Sequence, residues 1–259
     1  MAHDHSTDSS GVPWQGRSFQ PNPHAGDDGQ TPPEVADALA AFRDGTGTIA
    51  QLANALADSR ALIPLVTHAG EEFDAENPVM EDKIQELAVV TLEGPNGEKV
   101  YPAFTSAEAM RAWKSDARPI PIDSRRVALA AAGENVDRIV VNPGSDQIVL
   151  RRPTVWAIAQ GEPVVSPWES DALLADVREA LSTIEPVLDV SFEPVDVRAT
   201  GLGPELRLVV TLAAGLDEST MKAVVSEIHS RATSSLLLTQ ATDSLEIALR
   251  SGSFGSPPN

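Results

Sequence analysis

Apolar residues in this chain recur by turns at helical and at strand spacing, and the pattern breaks at Gly161 to Pro167, where two prolines fall within seven residues. The alternation predicts helices packed on sheets, an α/β (α+β) chain in two units. A length of 259 residues suits that division, since domains usually run about 100–150 residues. Apolar residues make up 42% of the chain, but only 4 Trp, 1 Tyr and 6 Phe are among them. The core must therefore be aliphatic.

Residues 1–30 are rich in Ser, Gly, Pro, Asp and Asn, which predicts a disordered or loosely docked arm. Within it, Val12-Pro13-Trp14-Gln15-Gly16-Arg17-Ser18-Phe19 carries two aromatics in a chain poor in them. Trp14, Arg17 and Phe19 are candidates either for folding back on the protein or for binding a partner. Order is expected from Thr31, whose hydroxyl would cap a helix containing Val35, Leu39 and Phe42. A second helix spans Thr48 to Asp58, and a strand whose proline places it at an edge or a bulge spans Ala61 to Thr67. The carboxylate-rich stretch Glu71 to Glu86 reads as a solvated loop rather than a metal or basic-partner site.

Leu87 to Leu92 and Lys99 to Thr105 flank Pro95-Asn96-Gly97, a hairpin signal. Ser106 and Ser124 are placed to cap the next two helices. Strands at Arg138 to Val141 and Gln147 to Leu150 enclose the turn Asn142-Pro143-Gly144-Ser145, and a short helix follows to Ala159. Beyond the break, a helix beginning at Ser166-Pro167-Trp168-Glu169 leads an α-β-β-α-β order, with strands at Val187 to Val197, Leu206 to Leu212 and Leu245 to Leu249. The expected organisation is thus an arm over 1–30, a mixed-sheet domain over 31–160, a linker over 161–167, a small α+β domain over 168–250 and a flexible tail over 251–259.

Charge and composition narrow the function classes. With 19 basic against 38 acidic side chains and a net charge of −19, binding to nucleic acid or to anionic lipid is disfavoured. A protein partner with a basic surface is compatible with it. The absence of cysteine excludes disulfides, thiolate metal sites and cysteine nucleophiles. No cofactor motif is present. Met1 to Asp8 lacks the basic, then apolar, order of a signal peptide, which predicts a cytoplasmic protein.

Several stretches together resemble a known family. Tyr101-Pro102-Ala103-Phe104-Thr105-Ser106, the helix with Trp113, the strand into Asn142-Pro143-Gly144-Ser145 and the Leu62-Ile63-Pro64 strand are similar to the N-terminal domain of SseB proteins. These are bacterial proteins named for enhanced serine sensitivity. The arm and the acidic balance are similar to actinobacterial members, and the α-β-β-α-β remainder resembles the family's C-terminal domain more loosely. The resemblance implies a cytoplasmic two-domain protein without established catalytic residues. It further implies a binding or regulatory role tied to serine sensitivity or amino-acid metabolism through protein contacts.

The residues themselves point the same way. His68 near the acidic stretch, and Ser106, Ser124 and Ser145, are the candidates for nucleophilic chemistry, but none lies in a Gly-x-Ser-x-Gly elbow. Helix caps and a turn account for the serines. Arg151-Arg152 and Arg125-Arg126 are doubled cations that either pair with the chain's own acids or, for Arg151 and Arg152, join Asn142, Gly144 and Ser145 in an anion site. The expectation is a protein that is not an enzyme. The alternative is an unrecognised enzyme or a small-anion binder built on the Asn142 to Ser145 loop.

Overall fold

A computed structural model describes residues 24, 26–65, 90–94 and 97–252. The N-terminal unit opens with α1 (Pro33–Arg43) and α2 (Ile49–Ala57). Thr48 caps α2 in a reciprocal box with Gln51, each side chain bonding the other's backbone N–H. Thr31 does not cap α1 as the sequence suggested. Proline at the first helical position leaves no N–H there to cap, and Thr31 Oγ1 donates instead to Thr105 Oγ1 at 3.2 Å.

Strand β1 (Arg60–Leu65) pairs antiparallel with β4 (Arg118–Asp123) in a sheet of two strands, with Pro64 opposite Pro119 and Leu62 opposite Pro121. β4 is an edge strand, and the other side of β1 is bridged only at Leu62, to Phe104, so a proline's missing N–H can be accommodated in both. Between them in sequence lie β2 (Leu92–Glu93), β3 (Lys99–Ala103) and α3 (Ala107–Trp113), the last capped by Ser106, as the sequence indicated. α4 (Ser124–Gly133) is capped by Asp123 rather than Ser124. The Asp123 carboxylate accepts from Arg125 N–H at 2.9 Å, which leaves Ser124 as the first helical residue, its buried Oγ without a partner among the described residues.

β5 (Ile139–Val141), β6 (Ile148–Leu150) and α5 (Arg152–Gln160) complete the unit. Its larger sheet runs β2-β3-β5-β6, parallel only between β3 and β5. Leu39, Leu52, Leu56, Ile63, Val127 and Ile158 fill the core between helices and sheets. Each fully buried Leu or Ile contributes about 1.5–3 kcal/mol. This cluster is mostly aliphatic, with Tyr101 buried in it and Phe42 packed at its margin.

The C-terminal unit begins with a 3₁₀ turn at Pro167–Glu169, not the α-helix expected there. Helix α6 (Asp171–Leu181) starts only after Ser170, whose hydroxyl accepts from Leu173 N–H at 3.2 Å. β7 (Val187–Pro194) pairs antiparallel with β8 (Leu206–Ala213), and β8 pairs parallel with β9 (Leu245–Gly252). The strand reaches Gly252, past the expected start of the tail. A parallel pair needs a crossover, and α7 (Glu218–Ser234) with α8 (Leu236–Ala241) supplies it. Leu173, Leu181, Leu206, Leu208, Ile228 and Leu238 form this unit's own core. Among the described residues no helix is long and apolar enough to cross a membrane.

Residues 161–167, expected as a linker, run close against α2. Asn54 Nδ2 donates to Val164 O at 3.0 Å, and Val164 N–H donates back to Asn54 Oδ1 at 2.9 Å. Val164 is buried in the N-terminal core. Asn54→Ala is expected to cost about 1–2 kcal/mol, because it strands a backbone pair, and to open the 161–167 segment to limited proteolysis. Unchanged protease resistance in that variant would show that the clamp is dispensable.

Candidate binding cleft between the two units

The site is built from the open end of the β5–β6 hairpin. Ile139 lies opposite Leu150, so the flanking residues Arg138 and Arg151 emerge at the same end of the ladder. Both reach Asp243, just before β9: Arg151 Nη1 donates to Asp243 Oδ2 at 2.8 Å and Arg138 Nη2 to the same oxygen at 3.0 Å. Arg151 Nη2 donates to Asp196 Oδ2 at 2.7 Å and to Gly203 O at 3.1 Å, and Nη1 reaches Ser244 Oγ at 3.0 Å. Its side chain is 5% exposed, as is that of Asp196. One guanidinium from the N-terminal unit thus satisfies several acceptors of the C-terminal unit, a use that suits the planar fork of arginine. Arg152 Nη2 adds bonds to Thr239 O (2.8 Å) and Thr242 O (3.1 Å) at the end of α8, where a cation complements the helix dipole.

The loop carrying Asp196 is itself anchored on the N-terminal unit. Val149 N–H donates to Ala199 O at 2.7 Å. Gly201, at φ +75°, lies so close to β6 that a Cβ there would sit 2.9 Å from Val149 Cγ2. Burial alone would raise the Asp196 pKa, but hydrogen bonds from Arg151, Thr200 and Gly201 outweigh it and hold the carboxyl below its ordinary value. Glu205 behaves in the opposite way. Burial pushes it up, and the Asp243 N–H at 2.8 Å together with the field of Arg151 offsets that only in part.

Beside this cluster lies a cavity of about 280 Å³ lined from both units. Ile49, Val149, Ala157 and Val164 come from one side, and Trp168, Leu237 and Ala241 from the other, with Arg151, Asp196, Glu205 and Ser166 as polar groups. Ser166 is 2% exposed, and its Oγ has no hydrogen-bond partner among the described residues.

Of the residues singled out from sequence, Arg151 and Arg152 belong to this junction. Asn142, Gly144 and Ser145 do not. They form the turn at the opposite end of the same hairpin, so the grouping of all five into one anion site is corrected by the strand direction. Asn142, at φ +51°, accepts from Thr105 N–H through Oδ1 at 2.9 Å, Ser145 Oγ donates to Asn142 O at 3.0 Å, and Gly144 lies against Trp113. These are the contacts of a held turn. Trp14, Arg17, Phe19, His68 and the stretch from Glu71 to Glu86 lie outside the described residues. Sequence reasoning missed Asp196, Glu205, Asp243 and Ser166. None of them carried a spacing signal: the Asp196 carboxylate accepts from Thr200 N–H and Gly201 N–H, farther along the chain than the two-residue reach of an Asx turn.

Residues 35–157 are similar to the SseB protein N-terminal domain, whose family model matches them. No curated protein and no solved structure matches the chain. The matched span runs from α1 into α5, so it contains Arg151 and Arg152 but none of the acids that they meet across the junction.

Proposed function

We propose, because the chain belongs to the SseB family through residues 35–157, that it is a non-catalytic cytoplasmic binding or regulatory protein acting through protein contacts. One observation carries this proposal: of the three serines that the sequence offers for chemistry, Ser106 and Ser145 are held in local backbone bonds and Ser124 is buried at the start of α4. Ser106 Oγ accepts from Ala109 N–H at 3.1 Å at the start of α3, and Ser145 Oγ donates to Asn142 O. A serine serving as a cap has its lone pairs turned to the helix, not to a general base. Likewise Arg151, the most heavily bonded cation of the junction, ties protein to protein and is not offered to an anion.

The net charge of −19 favours a basic partner, drawn in by long-range attraction that weakens with salt. Trp14 and Phe19 are the anchors we assign to that contact, with Arg17 between them. A connection to serine sensitivity or amino-acid metabolism would run through such a partner. The test compares the immobilised full chain with a chain lacking residues 1–30 and with Ser106→Ala. Basic proteins captured at low salt, released at high salt, lost on truncation and retained by Ser106→Ala are the expected result. Hydrolase or transferase turnover that falls in Ser106→Ala or His68→Ala would overturn it in favour of an enzyme.

A further inference from the structure

The cleft between the units contains two polar groups that the junction does not use. Ser166, 2% exposed, lines the cavity, and its buried Oγ has no hydrogen-bond partner among the described residues. A hydroxyl buried that way costs about 1–3 kcal/mol unless something bonds to it. Glu205, 8% exposed, is the second. Its Oε2 accepts from Asp243 N–H at 2.8 Å, and no ion pair reaches it among the described residues. Arg151, whose field reaches it, already donates to Asp196, Asp243, Ser244 and Gly203. Arg151 and Arg138 are shared among Asp196, Asp243 and Glu98, and Glu205 has no ion pair in this cluster among the described residues.

Apart from Arg151, Asp196, Thr154 and Gln240, the rest of the lining is apolar. Val164, Trp168, Leu237 and Ala241 supply the walls, and exposed Val165 (60%) and Leu237 (42%) edge the opening. A cavity of about 280 Å³ has room for a small ligand rather than a single water. We propose that this cleft is a small-molecule site for a primary amine with a compact apolar body, its ammonium on the Glu205 carboxylate, its hydrocarbon against Trp168 and Leu237, and Ser166 Oγ supplying a further hydrogen bond. An ammonium compensates the buried carboxylate directly. A ligand bearing its own carboxylate is disfavoured, because it would meet Glu205 with Arg151 already engaged. The protein-partner role calls for no such cleft, so the two proposals stand or fall separately.

Calorimetric titration of the full chain with 2-phenylethylamine, 2-phenylethanol and 3-phenylpropionate tests this. The amine is expected to bind in the millimolar range or tighter, ahead of the alcohol and far ahead of the carboxylate. Glu205→Gln should weaken the amine about tenfold or more, the usual effect of losing a charged hydrogen-bond partner, while leaving the alcohol unchanged. Ser166→Ala should weaken it several-fold. Folding does not confound the first variant. The folded-state pKa of Glu205 lies above its ordinary value, so its charge opposes folding at neutral pH and that opposition fades as pH falls toward the ordinary carboxylate range. Glutamine still accepts from Asp243 N–H without the charge, and melting should show a protein at least as stable as the parent. Absence of binding by the amine, equal binding to Glu205→Gln, or preference for 3-phenylpropionate would each overturn the proposal.

Discussion

Arg151→Ala is expected to lower stability by about 3–5 kcal/mol, the cost of breaking a buried ion pair and leaving its partners uncompensated. Asp196 and Asp243 are only 5% and 11% exposed, so water cannot readily replace the guanidinium. At about 2–4 °C per kcal/mol for a chain of this size, the melting temperature should fall by roughly 10 °C. Arg151→Lys should recover little of it, since a point charge cannot serve Asp196 and Asp243 through separate nitrogens as the fork does. Because this side chain bonds one unit to the other, unfolding of the alanine variant should also split into separate transitions. A loss below about 0.5 kcal/mol, the scale of an ordinary surface substitution, would mean that the junction is held by something else.

The same residue sets part of the acid response. The folded-state pKa of Asp196 lies below its ordinary 3.8, so the stability it contributes is fully present above that value and is lost as pH falls through the lower folded one. Removing Arg151 takes away the leading hydrogen bond that depresses it. The acid limb of the stability curve should therefore be shallower in Arg151→Ala than in the parent. An unchanged acid limb would assign the depression to Thr200 and Gly201 alone.

Local chemistry was largely legible in the sequence, and pairing across the chain was not. Thr48 and Ser106 announce their helices because a cap acts on the next three residues. β4 carries no strand signal because Pro119 and Pro121 suppress one, and its edge position is what permits them. α8 was missed because six residues carry too little periodicity. Asp123 and Ser124 are both good caps side by side, and sequence could not choose between them. The doubled arginine drew notice, with its own acids as one of two readings. Its partners Asp196 and Asp243 lie 45 and 92 residues away, and no spacing rule spans such distances. Glu205 and Ser166 gave no signal, since what distinguishes them is burial at a junction between units.

Arg60→Ala is the second large effect, expected at about 3 kcal/mol by the same logic of an uncovered buried charge. The Arg60 side chain is 5% exposed and Nε donates to Asp27 Oδ2 at 2.5 Å. Nη1 donates to Thr105 O at 2.6 Å, and Nη2 to Gln30 O. One side chain from the start of β1 therefore holds the segment ahead of α1 against the junction of β3 and α3. Ala107 N–H, which donates to Gly29 O at 2.8 Å, depends on that segment staying in place. Burial would raise the Asp27 pKa, but the bonds from Arg60 and Gly29 N–H outweigh it and hold the carboxyl below its ordinary value. Its contribution is therefore present at neutral pH and fades in acid below about pH 4. In Arg60→Ala the amides of Gly29 and Ala107 should exchange with solvent far faster than in the parent, while strands β8 and β9 keep their protection. Loss in Arg60→Ala should also leave unfolding in a single transition, because the residue bonds only within the N-terminal unit. Retained protection at Ala107 would show that residues 27–31 are held by the Thr31–Thr105 contact and not by the arginine.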